Sequence, residues 1–383
     1  MRRIYLDHNA STPVHPEVLD AMLPYFAQTF GNPSSIHGFG REARDAVEAA
    51  REEIAGFLGV AREEFVFTSG GTESDNLAVK GVAQAHRGGH IISSQVEHHA
   101  VLRTCEALER SGFAVTYLPV DGDGLVDPDD LRRALRPDTI LITIMYANSE
   151  VGTIMPVEEI GRIAREHGIP FHVDAVQAFG KIPFSARALG ISLLSCSSHK
   201  IYGPKGVGGL YVRKGTKMRS IQHGGDHERR RRAGTENVPA IVGFARAVAI
   251  RARDMADEAV RVAGLRDRLW EGLRERVADA RLNGHPTRRV PGTLNASFRG
   301  IEAESLILAL DLKGIGASAG SACTSGSLEP SYVLTAMGVP TEWALGALRC
   351  SLGRRTTRED VDYVLEVLPA AVERLRVLSP AVG

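Results

Sequence analysis

Three short segments hold residue types that together do one kind of chemistry. In Ser197-Ser198-His199-Lys200-Ile201-Tyr202-Gly203-Pro204-Lys205-Gly206 a lysine sits in a polar, glycine-flanked turn soon after the apolar run Ile191 to Leu194. An amine at a strand end, beside hydroxyls and an imidazole, is suited to forming a Schiff base while its neighbours bind an anion. A lone lysine is ordinarily a solvated surface residue, so its company decides the matter. Phe65-Val66-Phe67-Thr68-Ser69-Gly70-Gly71-Thr72-Glu73-Ser74 runs from a strand through a small-residue turn into a helix beginning near Glu73. Free N–H groups, the Gly71 backbone and the Thr72 hydroxyl make a phosphate cradle there, although such turns often only cap a helix. No GxGxxG fingerprint or Walker lysine is present, which argues against dinucleotides and nucleoside triphosphates. Pro170-Phe171-His172-Val173-Asp174-Ala175-Val176-Gln177 sets an acid at the carboxyl end of a buried strand, where open α/β sheets bind ligands. Asp174 there can keep a pyridine nitrogen protonated, and Gln177 can hydrogen-bond a ring hydroxyl; a helix cap is the plain alternative for Asp174. Amine, phosphate cradle and acid together describe a site for pyridoxal phosphate.

Two more segments could serve such a site. Gln95-Val96-Glu97-His98-His99 follows the Ile91-Ile92 strand, and His98 is the imidazole placed to stack on a flat ring and exchange protons. Adjacent histidines in such a loop are more often caps or surface residues. Gly320-Ser321-Ala322-Cys323-Thr324-Ser325-Gly326 surrounds a cysteine with residues too small to bury much area, so a mobile loop with an accessible thiol is expected. Cys105 and Cys196 fall in helix- or strand-like text and read as structural. The run Arg229-Arg230-Arg231-Arg232 has no interleaved aromatics and reads as a solvated loop with a local anion contact rather than a nucleic-acid site. His223-Gly224-Gly225 lacks metal-site spacing, and no metal is expected.

The elements that must position these residues alternate from about 41 to 215. Ala46, Val47, Ala50, Ile54 and Phe57 share one face of a helix over roughly 41 to 58. Seven short apolar runs follow: Phe65 to Phe67, His90 to Ile92, Val115 to Leu118, Ile140 to Ile144, Pro170 to Val173, Ile191 to Leu194 and Val207 to Val212. Separated mostly by helical text, they predict a mainly parallel α/β sheet. From Asn237 to about 279 the Ala-, Arg- and Glu-rich stretch reads as one or two helices containing a domain boundary. Residues 290 to 383 read as an α+β unit with strands at Thr293 to Phe298 and Ile315 to Ala319 and a helix from Arg358.

Composition bounds the function. The 383 residues, 43% hydrophobic, suffice for a large core plus a smaller one. Lysine plus arginine equals aspartate plus glutamate at 46 each, so no global field draws nucleic acid or an anionic membrane. Four scattered cysteines favour a reducing cytoplasm over a disulfide framework. No signal peptide or membrane span is legible.

Together these segments resemble the cysteine desulfurases of the NifS/IscS type, pyridoxal-phosphate enzymes of the class V aminotransferase family, from Tyr5-Leu6-Asp7 to Leu352-Gly353-Arg354. Further matching motifs are Gly31-Asn32-Pro33-Ser34-Ser35-Ile36-His37, Arg232 to Asn237 and Gly320 to Pro330. The resemblance implies the fold-type-I architecture: a large α/β domain (16–258) with a mainly parallel seven-stranded sheet, and a smaller α+β domain (1–15 and 259–383) carrying the cysteine loop. It implies Lys200 as the amine that holds the cofactor, Asp174 at the pyridine nitrogen, Gln177 at the ring hydroxyl and His98 stacking and shuttling protons. Gly71, Thr72, Ser197 and His199 would bind phosphate, with Thr235 reaching across from the other subunit of a homodimer. Arg349 would grip the substrate carboxylate and Asn32 would assist. Ser149 stands where the family commonly has the second of two asparagines; its hydroxyl can still donate near the ring hydroxyl. The implied reaction turns L-cysteine into L-alanine, leaves a persulfide on Cys323, and passes sulfur to an acceptor such as an iron–sulfur scaffold. A selenocysteine or cystine lyase, or a silent scaffold of the same fold, are the alternatives.

Overall fold

Near-continuous apolar runs such as Phe65-Val66-Phe67 can only be strands covered on both faces, and they form the centre of the protein. The computed structural model describes residues 3–319 and 329–378. In chain order the strands are β1 (Ile4–Tyr5), β2 (Phe65–Thr68), β3 (His90–Ser94), β4 (Ala114–Leu118), β5 (Thr139–Thr143), β6 (Phe171–Asp174), β7 (Leu193–Ser197), β8 (Gly208–Val212), β9 (Ala280–Leu282), β10 (Thr293–Phe298), β11 (Ile315–Gly316) and β12 (Ala347–Ser351). All seven expected runs join one sheet in the order β2-β8-β7-β6-β5-β3-β4. Pairing is parallel from β7 through β6, β5 and β3 to β4, while β8 runs antiparallel to both β7 and β2.

The exception follows from loop length. The Ser198–Val207 connection is too short for a crossover helix, so β8 must return antiparallel beside β7. Because β2 is antiparallel to β8, it is parallel to β7, and the carboxyl ends of β2, β3, β6 and β7 share one edge of the sheet. β8 can lie close to β2 because residue 209 has no side chain: a Cβ there would be 2.0 Å from the Phe65 ring.

The early amphipathic pattern is the helix Gly38–Leu58, capped by the His37 side chain and stopped by Gly59 at φ 68°. Its buried face, with Val47, Ala50 and Ile54, packs on the long helix Val238–Arg276. The stretch after Asn237 is thus one continuous helix. Its first part, Val238 to Ile250, joins the core under the large sheet, and Val262, Leu269 and Leu273 join a second core. No residue between Arg251 and Val262 is buried.

That second core packs Ile4 and Leu6 with β10, β12 and the helix Arg358–Leu378. Its sheet, β12-β10-β9, is antiparallel, and β1 pairs in parallel with β11. The expected strand over Ile315 to Ala319 is shorter than read. After Gly316 only an isolated bridge, Ser318 to Arg349, continues it, because Ala317-Ser318-Ala319 lacks the branched side chains that favour strands. β12 escaped the sequence reading because Arg349 interrupts its apolar run. Among the described residues no helix is long and apolar enough to cross a membrane.

Candidate active site

A cavity of about 360 Å³ opens at the shared carboxyl edge of the sheet. Its lining brings together Gly71, Thr72, His98, Ser149, Asp174, Gln177, Ser197, His199, Lys200 and Arg349, residues at or beyond the ends of β2, β3, β5, β6 and β7, and one from β12. Each reaches it for a local reason.

Lys200 ends the single 3-10 turn Ser198–Lys200 that follows β7, and its amine donates to the backbone carbonyls of Asn9 (2.5 Å) and Ala10 (2.8 Å). The amine is therefore parked on the N-terminal segment, beside the cavity. His199, next to it, holds Ser11 Oγ at 3.2 Å through Nδ1. Burial, then the charges of Lys200, Lys205 and Lys181, push its pKa down to about 4, so it is a neutral imidazole at pH 7.

Asp174 ends β6. Its Oδ1 accepts from Val176 N at 2.9 Å, which is the expected turn cap, while the carboxyl also faces the cavity. Burial raises its pKa, and the charges of His98 and Lys200 counter the rise. Asp75 lies behind it, fully buried, its Oδ1 without a hydrogen-bond partner and 3.6 Å from His172 Nε2. Desolvation, then the charge of Asp174, lifts Asp75 well above the carboxylate range. Their carboxyl oxygens lie within 4.8 Å of each other, and two buried carboxyls this close resist ionising together, so Asp75, the more strongly raised, keeps its proton in preference to Asp174.

His98 caps the helix His99–Glu109: Nδ1 accepts from Ala100 N at 3.1 Å, which assigns the proton to Nε2. The cap and the site role are thus compatible in one residue. Arg349 pairs with Asp7 Oδ1 at 2.7 Å and donates to Ser149 O at 3.0 Å. It is 3% exposed, a guanidinium at the cavity wall whose fork matches a carboxylate.

The helix Gly71–Gln84 starts at the cavity, with Gly70 at φ 153°. At Gly71 a Cβ would lie 2.7 Å from Val176 Cγ2, so only glycine lets the helix N-terminus approach β6. The Thr72 and Ser197 hydroxyls and the His199 imidazole complete the rim.

Two expected residues lie elsewhere. Asn32 and Thr235 are exposed and line a separate cleft beside Arg51 and Glu228. Cys323 lies outside the described residues. Three arginines of the run pair with the protein's own acids, Arg229 with Glu48, Arg230 with Asp226 and Arg232 with Glu73, while Arg231 donates to the Glu63 backbone carbonyl. Cys105, Cys196 and Cys350 are buried; burial pushes the thiols of Cys105 and Cys350 up to about 12 and raises Cys196, consistent with structural roles. Asn9, Asp75, Glu150 and Tyr332 line the cavity without having been foreseen. Asp75 falls within the Thr68 to Asn76 segment but reads there as a helix residue, and Asn9 and Tyr332 reach the site through contacts distant in sequence.

The class-V aminotransferase family model matches residues 4–364. The chain belongs to the class-V aminotransferase family. Among its relatives, the cysteine desulfurase IscS of Dictyoglomus turgidum is 54% identical over 99% of this chain and 97% of its own length. The cysteine desulfurase IscS of Methanosarcina thermophila is 55% identical over 99% and 94%. In three dimensions the chain is similar to a NifS-like protein with a TM-score of 0.92 at 42% identity, covering 98% of this chain and all of the other. It is also similar to a structure described as SspA in complex with cysteine, at TM-score 0.83 and 38% identity over 92% of this chain and all of that one. Within the family the chain belongs with the cysteine desulfurases, which are pyridoxal phosphate enzymes. The donor set fits that cofactor. A glycine-tight helix start with two hydroxyls and a neutral imidazole suits a phosphate dianion, a buried acid suits a pyridinium, and the Lys200 amine lines the same cavity.

Proposed function

We propose that this chain is a pyridoxal-phosphate-dependent cysteine desulfurase in which Lys200, Asp174, His98 and Arg349 act from one cavity and Cys323 receives the sulfur. The observation that carries the assignment of roles is the meeting of a parked amine, a buried acid and a carboxylate-binding arginine at one sheet edge. Gly71, Thr72, Ser197 and His199 would hold the phosphate, and Asp174 and Gln177 the ring, with Ser149 beside them. Bound pyridoxal phosphate supplies an electron sink for the carbanion left when the substrate loses its Cα proton. The Lys200 amine would take that proton. Arg349 turns its fork from Asp7 towards the substrate carboxylate and so sets which face of Cα meets Lys200. His98 would lie against the ring and move protons through Nε2. Cys323 thiolate attacks the substrate sulfur: the C–S bond breaks, an S–S bond forms on Cys323, and the former Cβ takes a proton, so cysteine plus thiol gives alanine plus persulfide.

Thr235 and Asn32 are exposed and outside the cavity, which supports their serving a second subunit of a homodimer. The second core, which gathers Ile4 and Leu6 with Val262 to Val277, β10, β12 and the C-terminal helix, supports a small domain of 1–15 and 259–383, while Val333, Leu334, Met337, Val339, Ala344 and Ala347 of that part pack into the large core. The sulfur acceptor would be a protein such as an iron–sulfur scaffold, met in the cytoplasm. Anaerobic incubation of loaded protein with L-cysteine tests the reading, with alanine quantified and the Cys323 peptide mapped by mass spectrometry. Alanine with a Cys323 persulfide is expected, and Cys323→Ser should abolish the persulfide; alanine without it would refute the role of Cys323.

A further inference from the structure

Gln177 is held by two neighbours that act from opposite sides. Its Oε1 accepts from Lys181 Nζ at 2.7 Å, and its Nε2 donates to the backbone carbonyl of Asn9 at 3.0 Å. Lys181 also donates to Asn9 Oδ1 at 3.3 Å. Asn9 is itself fixed, its Nδ2 donating to Thr293 Oγ1 and to Ser149 O. Gln177 and Asn9 are buried, and Lys181 is only partly accessible, lining a small cavity that Lys200 also lines.

A carboxamide has one acceptor oxygen and two N–H groups, and Lys181 Nζ stands as donor between two amide oxygens, Gln177 Oε1 and Asn9 Oδ1. Lys181 therefore requires Oε1 to face it, and the Asn9 carbonyl requires an N–H. Turning the amide over would set oxygen against oxygen at Asn9 and N–H against N–H at Lys181. The second N–H of Gln177 is what remains for the cavity. We propose that Lys181 is a positioning residue that locks the Gln177 carboxamide so that Gln177 meets the ring oxygen of the cofactor as a hydrogen-bond donor. This inference rests on the reading that Gln177 contacts that ring oxygen. A donor there stabilises the deprotonated oxygen and so makes the Schiff-base nitrogen beside it easier to deprotonate.

Burial first, then the charges of Lys200, Arg251 and Arg349, hold the Lys181 pKa well below the usual lysine value, with Glu258 opposing them. Charged or neutral, Nζ keeps at least two N–H groups, enough to donate to both Gln177 Oε1 and Asn9 Oδ1. His8 and His199 lie within the field of Lys181, and both are lowered to about 4, so neither titrates above pH 6. A visible-absorbance titration from pH 6 to 10 on the cofactor-loaded protein therefore reads the Schiff base without interference from these two imidazoles.

The test is a double-mutant cycle on the apparent pKa of that transition. Gln177→Ala is expected to raise it by about one unit, a tenfold change in proton affinity. Lys181→Met is expected to raise it by a similar amount in the native background and by less than a third as much in the Gln177→Ala background, because its effect passes through Gln177. A full shift in both backgrounds would mean that Lys181 acts through its charge alone and would overturn the proposal. No shift for Gln177→Ala would remove the ring-oxygen reading and this inference with it. A shift for Gln177→Ala without one for Lys181→Met would remove only the role of Lys181. Should Lys181→Met not fold, Lys181→Arg keeps the donors and the charge; it is expected to titrate like the native protein, and a shift equal to that of Gln177→Ala would refute the lock.

Discussion

Glu97 lies one residue before His98 with no exposure at all. Its Oε1 accepts from Ser94 Oγ at 2.6 Å and Met145 N at 2.9 Å, while Oε2 has no hydrogen-bond partner. Burial outweighs those two bonds and pushes its pKa from 4.5 up to about 8, with the charge of Asp174 adding to the rise. Between these values the unfolded chain has lost a proton that the native protein keeps, so stability falls as pH rises, by about 1.36 kcal/mol per unit. From 4.5 to pH 7 the loss comes to about 3 kcal/mol, and it levels off above pH 8. Glu97→Gln is the neutral counterpart of the protonated acid and keeps the Oε1 acceptor. It is expected to match the native protein below pH 4.5 and to exceed it at pH 7. For a chain of this size about 3 kcal/mol corresponds to roughly 3–6 °C in Tm. The assay is the melting temperature of both proteins from pH 4.5 to 8.5. A Tm gap that does not change with pH would refute the reasoning, because it would mean that Glu97 is not protonated in the native state at neutral pH.

Arg349→Lys keeps the charge but loses the fork, and the loss of one charged hydrogen bond, about 2 kcal/mol, should lower kcat/KM for cysteine about 30-fold, read in steady-state alanine formation. Gly71→Ala would drive a methyl against Val176 Cγ2 and displace the helix start from the phosphate; the expected result is at least tenfold weaker retention of pyridoxal phosphate, read by absorbance after dialysis. Arg51→Met strands Glu228, which holds Arg51 through two bonds of 2.7 Å and caps Phe67 N at 2.8 Å; denaturant melts should show a loss of about 3–5 kcal/mol.

The seven strands of the large sheet were legible because burial on both faces leaves unbroken apolar text, and the Lys200, Asp174 and Gly71 segments because each follows such a strand at its carboxyl end. What escaped had weaker local signals. β12 is broken by the arginine it delivers, and β9 is only Ala280–Leu282. Asn9 comes from the N-terminal segment, and its place at the site depends on pairings with Ser351, Thr293 and Ser149 far along the chain. No local pattern encodes such contacts. Asp75 reads as an ordinary helix residue, and only the packing of its helix against β6 makes it the partner of Asp174.

The long helix Val238–Arg276 has a consequence for how this chain tolerates change. Its first turns belong to one core and its last to the other, and the stretch between carries Asp254 and Glu258, which bind Arg354 and Arg251. An α-helix turns about 100° and advances about 1.5 Å per residue. One residue added between Arg251 and Val262 would therefore rotate Val262, Leu269 and Leu273 off their packing direction. A flexible linker would absorb such an insertion in its slack, whereas this helix converts it into an error of phase. Its length in residues fixes the angular register at which Arg349 is presented to the cavity.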